Sequence, residues 1–540
     1  MRRAVAMTVL VLACAACTRA GGEQTAGRHP WTVPGFLRVA TVDEPKSLNP
    51  LLASTTDEGF VDRLMFEPLL TADVRGNPIP MLATAVPTQE NGGISSDGLT
   101  IVYHLRRDAR WSDGVPVGAA DVKWSWQAIE NPGDNVISRH GYDVVRSIDT
   151  PDAKTVVVHL KRRFAPFVNT FFAESDQPYD VAPAHVLAKY PNINRIPFND
   201  APTVGDGPFL FSSWRHGDSI EVVANPHFFL GRPKLDRIKI SIVPDENSAT
   251  NLLRTHQLDY VFQPSIATYP SLHALPGVRV VFVNMNGYEG VQFNDARVPD
   301  PLVRRAAAYA LDKAAMVQDL THGQMHVATE DIPNWMWAFD PTVKSYPYDV
   351  REARRALEQA GYRFGPDGMA GKNGRPLDLL LATDTQNVTH RSESLLLQAA
   401  LHRIGIAVDI KFYPIDVLYE SAALGGITQS GRFDVTLGPW YAGIDPDDSS
   451  QFLCDTIPPG GYNLSRYCNP QMEAAQRAAL MHYDQAIRAT AYSRIQRLLA
   501  RDNPIIFLWW QRQQEAVSVD FKGFAPNPVV ESWNAWQWSI

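Results

Sequence analysis

At 540 residues the chain is too long for one ordinary core and predicts two or three domains, each able to bury most of its apolar surface. With 45% hydrophobic, 10% aromatic and 20% charged residues it has the make-up of a folded globular protein, which excludes general disorder. A formal charge of −8 excludes a nucleic-acid binder, which needs a basic face to displace counterions from phosphates.

The N-terminus predicts export. Met1-Arg2-Arg3 is a basic start, residues 4–13 are apolar, and Cys14-Ala15-Ala16-Cys17 is a small-residue cleavage zone; the apolar run is too short to span a bilayer. Removing residues 1–16 takes away two Arg and no acid, so the mature chain carries −10 and gains no basic face. A Cys directly after small residues resembles the lipobox of bacterial lipoproteins, in which that Cys becomes the acylated first residue. Cys17, preceded by Ala15 and Ala16, fits better than the alternative, Cys14, which has the bulky Leu12 two places before it. Residues 17–30 then read as a flexible polar tether. An exported chain makes a disulfide between Cys454 and Cys468 the expectation; it closes a loop worth about 3 kcal/mol of chain entropy.

Residues 36–42 alternate as a short strand that ends at a proline-flanked turn, EPKSLNP, and residues 57–70 have helical apolar spacing. Strands at 99–105 and 155–160 bracket a helix at 119–129, a small α+β unit. Further strands are predicted at 219–224, 237–243, 259–261 and 277–283, with a helix at 252–258; the last of these strands precedes Asn286-Gly287. Asp300-Pro301 opens a helix with Val303, Ala306, Ala310, Ala314 and Val317 on one face. Asp349 and Glu352 have capping-box spacing, and Gly361 stops that helix. Gly371-Lys372 lacks the upstream glycine and the Ser/Thr of a phosphate loop and reads as a hairpin turn. Strands at 377–382, 408–412 and 433–437 alternate with helices at 392–404 and 415–423, an α/β pattern, and residues 471–499 are helical with a break near Met481. Residues 505–510 form a last apolar run before a tail containing Trp533, Trp536 and Trp538.

Residues 438–470 read as a loop that gathers Trp440, Tyr441, Asp445, Asp447, Asp448, Arg466 and both later cysteines. Aromatic faces beside carboxylates suit a ligand carrying an ammonium group; the same residues also suit a solvated acidic turn with its tryptophan in the core. Arg466 can meet a ligand carboxylate or pair with Asp455, and Trp509-Trp510 can be core or ligand wall. No GxSxG, HExxH, phosphate loop or four-ligand Cys/His cluster is present, so the chain predicts recognition without catalysis, metal or cofactor.

The segments PKSLNP (45–50), LMFEPLLTAD (64–73), WSDGVPVGAADVKWSW (111–126), VGDGPFLFSSW (204–214), VRRAAAYALDKAAMV (303–317) and YNLSRYCNPQMEA (462–474) occur in an order that resembles the oligopeptide-, dipeptide- and nickel-binding family of ABC-importer solute-binding proteins. The resemblance implies an α/β, two-lobed Venus-flytrap fold with an extra α+β domain inserted in the first lobe. Lobe one is then 31–52, 176–275 and 508–540, the insert 53–175, and lobe two 276–507. It also implies a monomer that closes on a peptide or other small solute and presents it to permease and ATPase subunits, tied to the membrane by its N-terminal lipid. Similar proteins place ligand contacts at the positions of Ser54, Thr55, Thr56 and Trp440, and Trp510 is a further candidate. Where similar peptide binders have an amine-pairing Asp, this chain has Gly443, with Asp445 two residues on; where the oligopeptide binder has a carboxylate-receiving Arg, it has Leu437.

Overall fold

The computed structural model describes residues 28–540, so the leader and both of its cysteines lie outside the described residues. One mixed sheet runs through the molecule. Its strands follow the order Ala407–Tyr413, Asp378–Asp384, Val435–Tyr441, Val278–Phe293, Ile505–Ser518, Tyr260–Val261, Phe36–Thr41, Arg237–Ile242, Ser219–Ala224 and Phe209–Arg215. Two long antiparallel strands in the middle, Val278–Phe293 and Ile505–Ser518, belong to both lobes. Val278 to Asn284 pairs with Ser518 to Arg512 in the first lobe, and Tyr288 to Gln292 pairs with Trp510 to Ile505 in the second. The register breaks between Asn284 and Tyr288, the bulged stretch where the chain passes from one lobe to the other.

Asn286-Gly287 therefore does not end a short strand, as its turn chemistry predicts, but sits inside a 16-residue one. Gly287 is required there because a Cβ would stand 2.1 Å from the carbonyl oxygen of Trp440 on the neighbouring strand. The stretch beginning at Gly438 also departs from expectation. Residues 438–441 pair with Gly287 to Gly290 and extend a strand, so the loop starts only at Ala442.

Helix boundaries moved where caps compete with apolar spacing. Asp312 accepts the Ala315 amide and starts a second helix, Lys313–Thr321, so the expected single helix from Pro301 is two. Asp245 caps Glu246–Arg254, earlier in the chain than the spacing at 252–258 suggests. The hairpin turn falls on Asn373-Gly374, both at positive φ, and Gly371-Lys372 lies in the strand before it.

Helices Pro301–Ala310, Val350–Gln359 and Val388–Arg403 cover the second lobe and share an apolar core with its strands. In the first lobe, the antiparallel strands Thr100–His104, Thr155–Leu160 and Val145–Asp152 form a separate small sheet with helix Ala119–Glu130 against it. The apolar core nevertheless runs on without a gap. Phe60 of helix Thr56–Met65 packs on Tyr260, Phe262 and Trp538, so residues on both sides of position 52 share one interior. Among the described residues no helix is long and apolar enough to cross a membrane.

Candidate functional site

Between the lobes lies a cavity of about 330 Å³, floored by Met285 and Gln513 of the two crossing strands. Residues 53–56, 175–178 and 528–531 wall it from the first-lobe side, and Tyr441 with Ala442 wall it from the second. A second cavity of about 210 Å³ shares Gln263, Tyr441 and Gln513 with the first and continues to Glu289, His390, Trp509 and Arg512. Both lie where a two-lobed protein encloses a ligand, and the first is within the size range of small-molecule sites.

The segment 54–56 owes its shape to a buried acid. Thr55 caps helix Thr56–Met65 by accepting the Glu58 amide, and Glu58 reaches back to the amides of Thr55, Ser54 and Lys46 at 3.1, 2.5 and 2.7 Å. Those amides are thus occupied, and so is the Ser54 hydroxyl, which donates to Glu58 at 3.0 Å. Thr56 donates its hydroxyl to Gln263 at 3.0 Å, and Gln263 in turn donates to Glu531 at 2.6 Å.

Carboxyl groups set the character of the first cavity. Glu531 and Asp176 line it, whereas no Lys or Arg does among the described residues. Burial pushes the Glu531 carboxyl up to about 7, with the Gln263 hydrogen bond pulling the other way. Asp176 is exposed in the cleft and feels the charge of His140. A carboxyl poised near neutrality in a cleft is a group waiting for a cationic partner. The adjoining cavity has one Arg among its described residues, Arg512, held by Asn284 and the Gln324 carbonyl at 3.1 and 2.7 Å.

Of the residues singled out in the sequence, Ser54, Thr55, Thr56 and Tyr441 meet at the first cavity. The others go elsewhere, for physical reasons. Successive side chains on a strand face opposite ways, so Tyr441 points into the cleft and Trp440 packs against the apolar cluster of the second lobe. Asp445 is buried in a two-pronged pair with Arg488 at 2.8 and 2.5 Å and accepts from Asn169 at 3.2 Å. Asp447 pairs with His140 of the inserted unit at 3.2 Å. Burial works to raise Asp447, but His140 and the hydrogen bonds from Ser449 together outweigh it and the carboxyl ends below its usual range. Arg466 does not pair with Asp455; its guanidinium binds the carbonyls of Leu464, Thr428 and Gln429. Trp510 is 4% exposed, donates to the Glu330 carbonyl and stacks edge-on with Trp335 and Phe339, while its neighbour Trp509 lines the second cavity. Cys454 and Cys468 are joined, with Cα atoms 4.9 Å apart.

Glu531, Gln263, Gln513 and Asp176 were not legible as site residues. Each sits in ordinary strand or loop text, and only the closure of a sheet built from both chain ends brings them together. The one available signal was Glu531 itself, an acid between Val530 and the aromatic tail.

Two lobes joined by crossing strands, with a polar-rimmed cavity between them, define a bivalve solute-binding protein. A family model described as bacterial extracellular solute-binding proteins, family 5 middle, matches residues 77–457, and the chain belongs to that family. It is a solute-binding component of the ABC-importer type, built on the two-lobed α/β fold. Over 542 residues it is 23% identical to the oligopeptide-binding protein AppA of Bacillus subtilis, covering 98% of this chain and 97% of that one. Protein XP55 of Streptomyces lividans is 29% identical over 516 residues, 94% of this chain and 89% of XP55. Among solved structures, NikZ from Campylobacter jejuni in complex with Ni(L-His) superposes with a TM-score of 0.79 at 25% identity, covering 94% of this chain and 99% of NikZ.

Proposed function

We propose that this protein captures a short peptide or peptide-like ligand by its free amino group and delivers it to a membrane permease. The observation that carries the reading is the first cavity's charge: Glu531 and Asp176 face it and no Lys or Arg lines it among the described residues. A ligand ammonium supplies that charge through charge-assisted hydrogen bonds. Arg512, across the shared Gln263, Tyr441 and Gln513, stands ready for a carboxylate at the other end of the same ligand. The ring of Tyr441, 44% exposed, offers apolar surface between the two. Relatives named as oligopeptide-, D,D-dipeptide- and di/tripeptide-binding proteins support the choice of ligand class.

The same reading has the protein exported, acylated at Cys17 and held outside the membrane as a monomer beside permease and ATPase subunits. The exported protein, incubated with a mixed pool of di- to hexapeptides and read by native mass spectrometry, is expected to retain one peptide per chain. Failure to retain any peptide from the pool would overturn the ligand assignment.

A further inference from the structure

Beside the second cavity lies a side-chain cluster that peptide capture leaves unused. Glu289, His390 and Glu393 each present one donor atom, and these atoms lie within 4.8 Å of one another. All three residues are buried, Glu393 completely. Glu289 comes from the long strand Val278–Phe293; His390 and Glu393 come from helix Val388–Arg403, three residues apart and therefore on one face.

Two of the three donors are oriented from behind. His390 Nδ1 is hydrogen-bonded to Asp384 Oδ2 at 2.5 Å, and its Nε2 faces Glu289 Oε1, 3.6 Å away. Gln511 donates to Glu289 Oε2 at 3.1 Å, and Glu289 Oε1 has no hydrogen-bond partner among the described residues. Both carboxylate oxygens of Glu393 are likewise without a partner. Buried carboxylate oxygens without partners are costly in the ionised form, and a bound cation removes that cost as uptake of a proton does.

The donor set, one imidazole nitrogen and two carboxylates with all three atoms within 4.8 Å of one another, is one that holds a divalent metal ion. A carboxylate behind the far nitrogen of a histidine is also the device that fixes a metal-binding imidazole.

We propose that Glu289, His390 and Glu393 form a binding site for a late first-row divalent metal ion of the zinc type, with Asp384 and Gln511 as the orienting residues. One imidazole and two carboxylates suit such an ion and leave a coordination position open. Glu289 and His390 line the second cavity, so a ligand amine or carboxylate entering it can complete the coordination. The site stands on its own geometry and does not depend on the peptide reading.

The protein, stripped with chelator, is titrated with Zn²⁺ by calorimetry and with Co²⁺ by absorbance, without peptide. One ion per chain is expected, with affinity at least tenfold weaker in Glu393→Gln and His390→Gln and about 10- to 100-fold weaker in Asp384→Asn. Thermal melting shows whether each variant is folded. If a variant is not, X-ray absorption of the zinc-loaded wild type decides, because one imidazole nitrogen and carboxylate oxygens must appear around the ion. No stoichiometric binding to the wild type, a zinc spectrum without imidazole, or unchanged affinity in a folded Glu393→Gln overturns the site. Peptide retention measured on the same preparation reports on the ligand assignment separately.

Discussion

Gly443 lies against Ser175: a Cβ built on it would sit 2.5 Å from the Ser175 Cα and carbonyl carbon and 2.5 Å from the Glu174 carbonyl oxygen. Asn286 holds the same spot by donating to the Gly443 carbonyl at 2.9 Å, and Ile444 donates its amide to Glu174. The loop after strand Val435–Tyr441 is thus pressed onto backbone of the opposite lobe. Any side chain at 443 would have to part them. In this chain an Asp cannot stand where similar peptide binders pair the ligand amine, and the acids that face the cavity come from Glu531 and Asp176 instead.

Gly443→Ala is therefore expected to destabilise the closed form by about 1–3 kcal/mol, the usual cost of overpacking. Small-angle scattering should report a more open molecule, and calorimetry weaker ligand binding. A variant that remains closed with native affinity would mean the loop can yield.

Asp445→Ala should act on stability more than on recognition. Asp445 and Arg488 are both under 10% exposed, and removing one partner of a buried pair leaves the other charge uncompensated, a loss of about 3–5 kcal/mol. Denaturant unfolding gives the number. Unchanged stability with lost binding would return Asp445 to the ligand site.

The His140–Asp447 pair ties the inserted unit to the second lobe and gives closure a pH dependence. Burial opposes charging of His140, but Asp447, helped by the charges of Asp176 and Asp143, outweighs it and the imidazole is pushed up to about 9 from 6.5. A raised histidine stabilises fully below 6.5, and that contribution fades as pH climbs through about 9. Melting temperature should fall across that window in the wild type and fall less in His140→Gln. Parallel curves would show that the pair contributes nothing.

Peptide mapping of the exported protein without reductant should find Cys454 linked to Cys468. The double Cys→Ser variant is expected to lose about 3 kcal/mol, the loop-closure value for a ring of this size. Free thiols at both positions in the exported protein would contradict the pairing.

Much of the fold could be read from apolar spacing, caps and the family segments: strand Thr155–Leu160 and strand Ser219–Ala224 fall where alternation put them. What could not be read was set by pairing across distance. Asn286-Gly287 carries the chemistry of a turn, yet pairing with Ile505–Ser518 and Val435–Tyr441 draws it into a sheet. The same limit governed the site. Trp440 and Asp445 have the right chemistry for ligand recognition, but strand alternation turns one away and Arg488 takes the other, neither of which a local pattern reveals.

If Glu531 receives the ligand amine in the cleft, calorimetric titration of one retained peptide and its N-acetylated form into the wild type and Glu531→Gln, between pH 6 and 9, will separate the four combinations. Ionisation of Glu531 near 7 should strengthen binding of the free peptide as pH rises, until its own amine, with an ordinary value of about 8, loses its proton. Acetylation and Glu531→Gln should each weaken binding at least tenfold, and together little more than either alone, because they remove the same contact. Equal affinity for the free and acetylated peptides would contradict the account.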